Sequence, residues 1–338
     1  MRLAVGSRLG GPQAAPSVTS GPTMTEKHRA HTATVIGNAL VDDIVTRRGN
    51  FPIFGGAGVN VAVTLAQHGI DTTLVAAVGS DGVGSALRSL LTSRGISLFP
   101  EPAPARTARA VVHLEGSEPA YEFSEPTYPN FQFSAAARKQ IASTDVLVVN
   151  AFNYEAGSQV DELRNVLQSS VGWRVLDPNV RPALVRDRGL LVSQVETLLN
   201  FSDIVKVSDE DLLAMGDHRS PYPVSRILEL GTRVVFLTKG VAGAEILTGA
   251  GPHFEAPAFA VAEVVDTVGA GDAAVAALVL SAIAETRALT ASREWRAQLH
   301  NLDWQAHLKV AMAAAAAACR RRGGPAGAVP PGSSPDQI

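Results

Sequence analysis

Short apolar runs alternate with longer helix-like segments along most of this chain, and this alternation restricts the possible folds more than any other feature. The runs occupy residues 73–79, 145–150, 173–176, 203–207 and 234–238. Continuous apolar runs are typical of strands that are buried on both faces of a sheet. Strands that alternate with helices indicate parallel pairing. We therefore predict an α/β fold with a doubly wound, mostly parallel sheet flanked by helices.

The pattern changes between residues 106 and 124. Two strand-like runs, 107–114 and 120–124, follow each other there without an intervening helix. We interpret them as a hairpin of a small β-sheet lid, with further lid strands drawn from about residues 36–54. A simple edge hairpin of the main sheet is the alternative.

The two ends of the chain differ in composition from the middle. Residues 1–33 are rich in Gly, Pro, Ser, Thr and Ala without a sustained period, and we predict a disordered extension in which Met24 is the natural start. The folded domain is expected to span residues 34–325. Residues 326–338 are predicted to form a flexible tail.

The charge balance and the apolar pattern exclude several function classes. Lys and Arg number 29 against 32 Asp and Glu, with a net charge of −3, and they are scattered, which argues against nucleic acid as a partner. No apolar stretch reaches the ~20 residues that span a membrane. The only cysteine, Cys319, excludes an internal disulfide and fits a reducing compartment, so we expect a cytoplasmic protein.

The most informative stretch for function is residues 264–274, where an apolar run ends at Asp266 and the chain turns on Gly269 and Gly271. An alanine-rich helix then continues to about residue 285. The N–H groups of a first helical turn, together with the helix dipole, attract an anion. Asp272 lies in this turn, either as a helix-starting residue or as a general base beside an anion hole.

Residues 269–274 also match the dinucleotide fingerprint G-x-G-x-x-G/A. We reject that interpretation because no clear strand with an acidic residue follows the helix. Asp272 would also place a negative charge against a pyrophosphate. The chain has no G-x-x-x-x-G-K-[ST] phosphate loop.

Two polar positions near the start of the domain have alternative interpretations. Asp42 follows a strand-like segment. It either caps a turn there or accepts hydrogen bonds from paired hydroxyls of a ligand. Asn60 begins a helix after a loop that contains Gly55 and Gly56, which permits close approach of a ligand or simply tight packing.

In this order the motifs identify a resemblance to the ribokinase-like (PfkB) carbohydrate kinase family over roughly residues 34–325. The matching stretches are residues 55–60, with the family's Gly-Gly-x-x-x-Asn pattern, and 266–272, close to Asp-Thr-x-Gly-Ala-Gly-Asp. Lys206 and the pattern Thr238-x-Gly240-x-x-Gly243 lie between them. The stretch 177–182 resembles that of fructokinases and 2-keto-3-deoxygluconate kinases.

The resemblance implies ATP-dependent phosphorylation of a sugar hydroxyl with Mg²⁺. By position, Asp272 is the base, and the backbone of Gly269, Ala270 and Gly271 forms the anion hole. The substrate residues are Asp42, Gly55, Gly56, Asn60 and Arg181. The residues on the nucleotide side are Lys206, Ser208, Asp211, Thr238, Gly240 and Gly243. Asp266 lies near where some relatives bind a monovalent cation, so potassium activation is a further expectation.

Several alternatives remain at this stage. Fructose, ribose, a keto-acid sugar and a nucleoside all fit as acceptors, and Arg181 either recognises an anion or pairs with a structural carboxylate. Ser208 and Asp211 stand where family members commonly carry Asn and Glu, and this departure is the only support for a non-catalytic sugar or nucleotide sensor. We favour an active enzyme because the Asp272 and anion-hole positions match the family. A nicotinamide-dependent dehydrogenase is a weaker alternative. The family also suggests a homodimer formed through the lid.

Overall fold

The computed structural model describes residues 31–46, 49–101, 104–113, 120–123, 133–217, 220–249, 251–286 and 296–330. Its strands are β1 (Thr32–Ile36), β2 (Leu40–Thr46), β3 (Gly49–Gly55), β4 (Asp71–Ala76), β5 (Ser97–Pro100), β6 (Ala108–His113), β7 (Ala120–Phe123), β8 (Val146–Asn150), β9 (Trp173–Asp177), β10 (Ile204–Ser208), β11 (Val234–Thr238), β12 (Ala244–Thr248), β13 (His253–Ala256) and β14 (Gly327–Ala328). Its helices are α1 (Ala57–Gln67), α2 (Gly82–Ser93), α3 (Ala135–Ser143), α4 (Gly157–Ser169), α5 (Arg188–Leu199), α6 (Asp209–Met215), α7 (Val224–Glu229), α8 (Ala270–Glu285) and α9 (Trp304–Ala318).

The larger sheet follows from the apolar runs. Within the described residues it has nine strands in the order β13-β12-β11-β10-β9-β8-β1-β4-β5. The pairs from β11 to β5 are parallel, while β12 and β13 add an antiparallel hairpin at one edge. The parallel strands therefore point their carboxyl ends to one edge, where ligands bind in open α/β sheets.

The two faces of this sheet are covered by different helices. Side chains alternate along each strand, so Val146 and Val148 join one apolar cluster while Leu147 and Val149 join the other. The first cluster contains residues of α1, α2, α8 and α9, and the second contains residues of α3, α4, α5, α6 and α7. The predicted doubly wound α/β fold is confirmed.

A second, smaller sheet has the order β14-β3-β2-β6-β7 in the described part of the chain. The β2–β6 pair is parallel and the other pairs are antiparallel. Arg109 on β6 donates from Nε and from a terminal nitrogen to the two carboxylate oxygens of Asp43 on β2, each at 2.7 Å. This bidentate pair joins two neighbouring strands of the sheet.

Two segments differ from the sequence-based expectations. Residues 32 and 33, assigned to the disordered extension, belong to β1, and residues 1–30 lie outside the described residues. The expected tail from residue 326 instead supplies β14, which pairs with β3 through Gly327 and Phe54, and Ala326 is buried. The loop at 114–119 and residue 124 also lie outside the described part, as do residues 331–338.

The C-terminal segment is held by contacts that no local pattern predicts. Arg94, after α2, donates to the carbonyl oxygens of Pro325 and Ala326, both at 2.9 Å. The guanidinium of Arg322 lies 4.4 Å from the ring centroid of Phe51 on β3. Among the helices described, none is both long and apolar enough to cross a membrane.

Candidate active site

The start of α8 has the geometry of an anion-binding helix terminus. Gly269 precedes the helix with φ 78° and ψ 4°, a left-handed conformation that favours glycine, and no side chain caps this end. The Ala270 N–H donates to the Thr267 carbonyl oxygen at 3.2 Å, so it closes the turn instead of facing a ligand. The following N–H groups, at Gly271 and Asp272, are thus the ones that the first turn offers to an anion.

Asp272 lies in that first turn and is 8% exposed. Its Oδ2 accepts a hydrogen bond of 2.8 Å from Nδ2 of Asn60, in the first turn of α1. Two motifs that lie 212 positions apart in the chain therefore meet. The structure places the predicted base and a predicted substrate residue side by side.

Asp42 on β2 is buried beside the same site. Burial, and then the negative charge of Asp272, raises the pKa of Asp42 to about 7, while Arg181 opposes the shift. Arg181 is therefore near enough for its positive charge to act on this carboxyl group. A Cβ at Gly55 would lie 1.9 Å from Oδ2 of Asp42, so the glycine leaves room for the carboxylate.

Gly56 has a separate structural reason to be glycine. It precedes α1 with φ 94°, and a Cβ there would lie 2.7 Å from the carbonyl oxygen of Asn38. The loop thus approaches the end of β1 so closely that a side chain would collide with backbone.

Lys206 on β10 occupies the centre of a buried ion network. Its Nζ lies 3.3 Å from Oδ1 of Asp177 and 3.7 Å from Oδ2 of Asp211. Burial alone would lower the pKa of this amine, but Asp177, Asp211 and Asp272 together raise it above its ordinary value. A Cβ at Gly271 would lie 3.6 Å from the amine, which places a permanent positive charge beside the start of α8.

Asp177 lies at the end of β9. It begins the stretch 177–182, but it is not among the site residues predicted from the sequence. Burial raises the pKa of Asp177 to about 7, with Lys206 opposing the shift. Its Oδ2 is buried and has no hydrogen-bond partner among the described residues. A buried, unpartnered carboxylate oxygen next to an anion site fits a cation ligand.

Ser208 and Asp211 form a capping box at the start of α6. Asp211 N–H donates to Ser208 Oγ at 3.0 Å, and Asp211 Oδ2 accepts from Ser208 N–H at 2.7 Å. The other oxygen, Oδ1, accepts from the Val180 N–H at 2.7 Å. Ser208 therefore caps α6, and both Asp211 oxygens already accept hydrogen bonds within the protein.

The predicted nucleotide glycines lie in the turn from β11 to β12. Thr238 ends β11 in register with Ser208, and Gly240 has φ 52° with open space where a Cβ would be. Gly243 has φ 99°, and a Cβ there would lie 2.2 Å from the Ala256 carbonyl oxygen. Packing against β13 is therefore sufficient to explain Gly243, whereas Gly240 lies at the open side of the turn.

Asp266 links two distant segments. Its Oδ1 accepts from the Val268 N–H at 2.9 Å, and its Oδ2 accepts from the Gly323 N–H at 2.8 Å. The neighbouring Gly324 packs against Asn60, since a Cβ there would lie 1.9 Å from Oδ1 of Asn60. The carboxylate therefore joins the loop before α8 to the segment that packs against Asn60.

One polar residue at the site has no counterpart in the sequence predictions. Asn150 ends β8 in register with Asp177 and is fully buried, and neither atom of its amide has a partner in the described structure. A Cβ at Gly37 would lie 2.2 Å from its Oδ1. A polar residue that ends an apolar run at the carboxyl edge is the signal that could have identified it.

The chain also resembles proteins of known activity. Residues 50–330 match the pfkB family carbohydrate kinase profile. A fructokinase from Rhizobium leguminosarum bv. trifolii is 29% identical over 248 residues, covering 70% of this chain and 75% of that protein. A fructokinase from Salmonella typhimurium is 30% identical over 257 residues, covering 73% and 83%.

The fold agrees with that relationship. A solved structure of a fructokinase with bound ATP from Xylella fastidiosa superposes with a TM-score of 0.70 at 22% identity, covering 86% of this chain and 93% of that chain. The sequence match includes Asn60 and Asp272, whereas Asp42 precedes the matched residues. The chain belongs to the PfkB family of carbohydrate kinases.

Proposed function

We propose that this kinase transfers the γ-phosphoryl group of Mg-ATP to a hydroxyl of a neutral, fructose-like sugar, with Asp272 as the general base. The contact between Asn60 Nδ2 and Asp272 Oδ2, at 2.8 Å beside the uncapped start of α8, carries the proposal. It joins an acceptor-binding position, a base and an anion site in one place. Asp272 would accept the hydroxyl proton as the new bond to phosphorus forms.

The charges around Asp42 favour a neutral acceptor. Asp272, Asp266 and Asp43 all raise the pKa of Asp42, and Arg181 is the cation that lowers it. Sugar hydroxyls can donate to such carboxylates, whereas a phosphorylated sugar would add two negative charges to the same site. The names of the two fructokinase relatives support the same substrate class.

The residues beside α8 fit a nucleotide and its metal ion. ATP supplies the phosphoryl group, and Mg²⁺ offsets its charge. The Gly271 and Asp272 N–H groups and the Lys206 ammonium would bind phosphate oxygens, and the unpartnered Asp177 Oδ2 is the oxygen suited to hold the metal. Asp211 is already committed to its capping box, so we assign it the role of orienting Lys206.

Potassium activation remains a prediction from the family resemblance. Both oxygens of Asp266 accept backbone N–H bonds, so the carboxylate would stabilise the loop around a cation more readily than coordinate it.

The test is an ADP-release assay with Mg-ATP and separate acceptors: fructose, ribose, 2-keto-3-deoxygluconate, adenosine and fructose 6-phosphate, with and without potassium. We expect turnover with fructose and at least about tenfold lower kcat/KM with fructose 6-phosphate, because the acidic site repels its phosphate. The Asp272→Asn variant, purified in parallel, measures the contribution of contaminating kinases. Turnover only with adenosine would indicate a nucleoside kinase, and ligand binding without any turnover would indicate a sensor.

A further inference from the structure

The hairpin of β12 and β13, at the edge of the larger sheet, presents three metal-ligating side chains on one face. Glu245 on β12 stands directly opposite Glu255 on β13 in the strand register. His253 lies two positions before Glu255, so its side chain points to the same face. Each of these three side chains offers one ligand atom, and the three atoms all lie within 4.8 Å of one another.

The donor spacing suits a small divalent cation. His253 Nε2 lies 3.2 Å from Glu245 Oε2 and 3.8 Å from Glu255 Oε1. Tetrahedral zinc with bonds of about 2.0–2.1 Å places its donor atoms about 3.4 Å apart. Only small side-chain rotations would therefore bring all three atoms into one coordination sphere.

Lys239 forms an ion pair with Glu245, one of the three metal-ligating residues. Lys239 Nζ contacts Oε1 of Glu245, while His253 faces the other oxygen, Oε2. The lysine and a metal ion can thus share this carboxylate without competing for the same oxygen. Such a partner behind a ligand typically orients it and strengthens metal binding.

The hairpin also carries an excess negative charge, which a bound cation would offset. Like charges directly opposite on paired strands destabilise a sheet. Lys239 neutralises Glu245, but Glu255 has a side chain that is 71% exposed and lies 3.8 Å from the imidazole. The exposure of His253 and Glu255 leaves room for water to complete the coordination.

We propose that Glu245, His253 and Glu255 form a divalent metal site that binds Zn²⁺ in preference to Mg²⁺. An imidazole with two carboxylates favours a borderline metal over a hard cation that retains its water. The site lies outside the catalytic cluster and does not depend on the proposed substrate or base.

The test measures Zn²⁺ binding to tag-free, chelator-treated protein without ATP, by isothermal titration and by competition with a chromogenic chelator. Variants His253→Gln and Glu255→Gln each remove one ligand at the surface. His300→Gln removes an exposed histidine elsewhere and is the matched control. Circular dichroism verifies that each variant is folded.

We expect one Zn²⁺ per chain, with binding at least about tenfold weaker in His253→Gln and in Glu255→Gln and unchanged in His300→Gln. Mg²⁺ at the same concentration should not displace it. Absence of Zn²⁺ binding in the wild-type protein would overturn the proposal. So would binding that both ligand variants retain, because the metal would then reside on the catalytic carboxylates.

Discussion

Asp42 and Asp272 are both buried carboxylates, but their surroundings in the protein differ. Asp272 accepts a hydrogen bond from Asn60, which orients its carboxylate. Asp42 is held in a desolvated environment near other negative charges, which raises its pKa to about 7. The hydrogen bond from Asn60 supports the proposed role of Asp272 as the base, and hydroxyl donors of a ligand would offset the cost of desolvating Asp42.

Replacing Asp272 with Asn should leave the fold and sugar binding intact while removing the base. We expect kcat to fall by roughly a hundredfold or more, the usual contribution of a positioned general base. Steady-state kinetics and sugar binding by calorimetry measure the two effects. Asp209→Asn, at an exposed position in α6, is the control. A kcat within about threefold of wild type would remove Asp272 from the base role.

The raised pKa of Asp42 predicts a pH-dependent cost in stability. Between about pH 4 and about pH 7 the unfolded chain has lost this proton while the folded protein retains it. The free energy of unfolding therefore falls as pH rises through this window, and the loss is complete above it.

Asp42→Asn should accordingly raise the unfolding temperature by a few degrees at pH 8 and by less at pH 5, while KM for the sugar increases. Differential scanning calorimetry at both pH values measures the effect. An equal change at pH 5 and pH 8 would show that ionisation of Asp42 is not the cause.

Gly55→Ala tests whether the glycine is needed to accommodate Asp42. The added Cβ would lie 1.9 Å from Asp42 Oδ2, so the carboxylate must move. We expect KM for the sugar to rise at least about tenfold, with a stability loss of about 1–3 kcal/mol. Gly157→Ala, where the nearest atom to a Cβ is 3.7 Å away, should change neither quantity. Normal sugar kinetics in Gly55→Ala would contradict this account.

At the scale of elements, the smaller sheet depends on the C-terminal segment. β14 is its edge strand, the Val329 N–H donates to the Pro52 carbonyl oxygen at 3.0 Å, and Arg94 binds two carbonyl groups of the segment. Because β2 and β3 carry Asp42 and Gly55, we expect that loosening this sheet also affects the proposed acceptor site.

Truncation after Pro325 should therefore raise KM for the sugar more than it lowers kcat, and it should increase hydrogen exchange in β3. The physical reason is that β3 loses its edge partner and buried Ala326 is removed. Truncation after residue 330 keeps this strand and is the control. Equal kinetics in the two truncated proteins would show that β14 does not support the site.

Across the whole molecule, Asp266 connects the loop before α8 with the segment that follows α9. Its two oxygens accept from Val268 and from Gly323, which lie on either side of the intervening helices. Gly324 then packs on Asn60, and the chain continues into the smaller sheet. One carboxylate thus connects the proposed anion site, the proposed acceptor site and the smaller sheet.

Asp266→Asn should lower both stability and kcat, although Asp266 is not proposed to touch the sugar. The amide can accept at only one of the two positions, and the buried N–H left unpaired costs about 1–3 kcal/mol. Chemical denaturation and steady-state kinetics measure the two losses. Glu263→Gln, at a nearby exposed position, should be neutral. A stable variant with wild-type kcat would contradict the connecting role.

The sequence by itself determined the α/β class, the helix at 270–285 and the positions of Asn60 and Asp272 near helix starts, but not that of Asp42, which lies within β2 instead of at a turn. These features are local: apolar runs set the strands, and glycines with polar residues mark the turns at their ends. A residue that ends a parallel strand or begins the next helix must lie at the carboxyl edge, whatever the rest of the chain does.

Only the tertiary structure decided which distant groups pair. No local pattern shows that residues 327–328 extend the smaller sheet, that Asp266 reaches Gly323, or that Asn150 is fully buried. It also decided that Asp211 accepts a hydrogen bond from the Val180 N–H. The physical reason is that hydrogen bonding and burial depend on which surfaces close against each other, and side chains far apart in the sequence acquire partners only when the core packs.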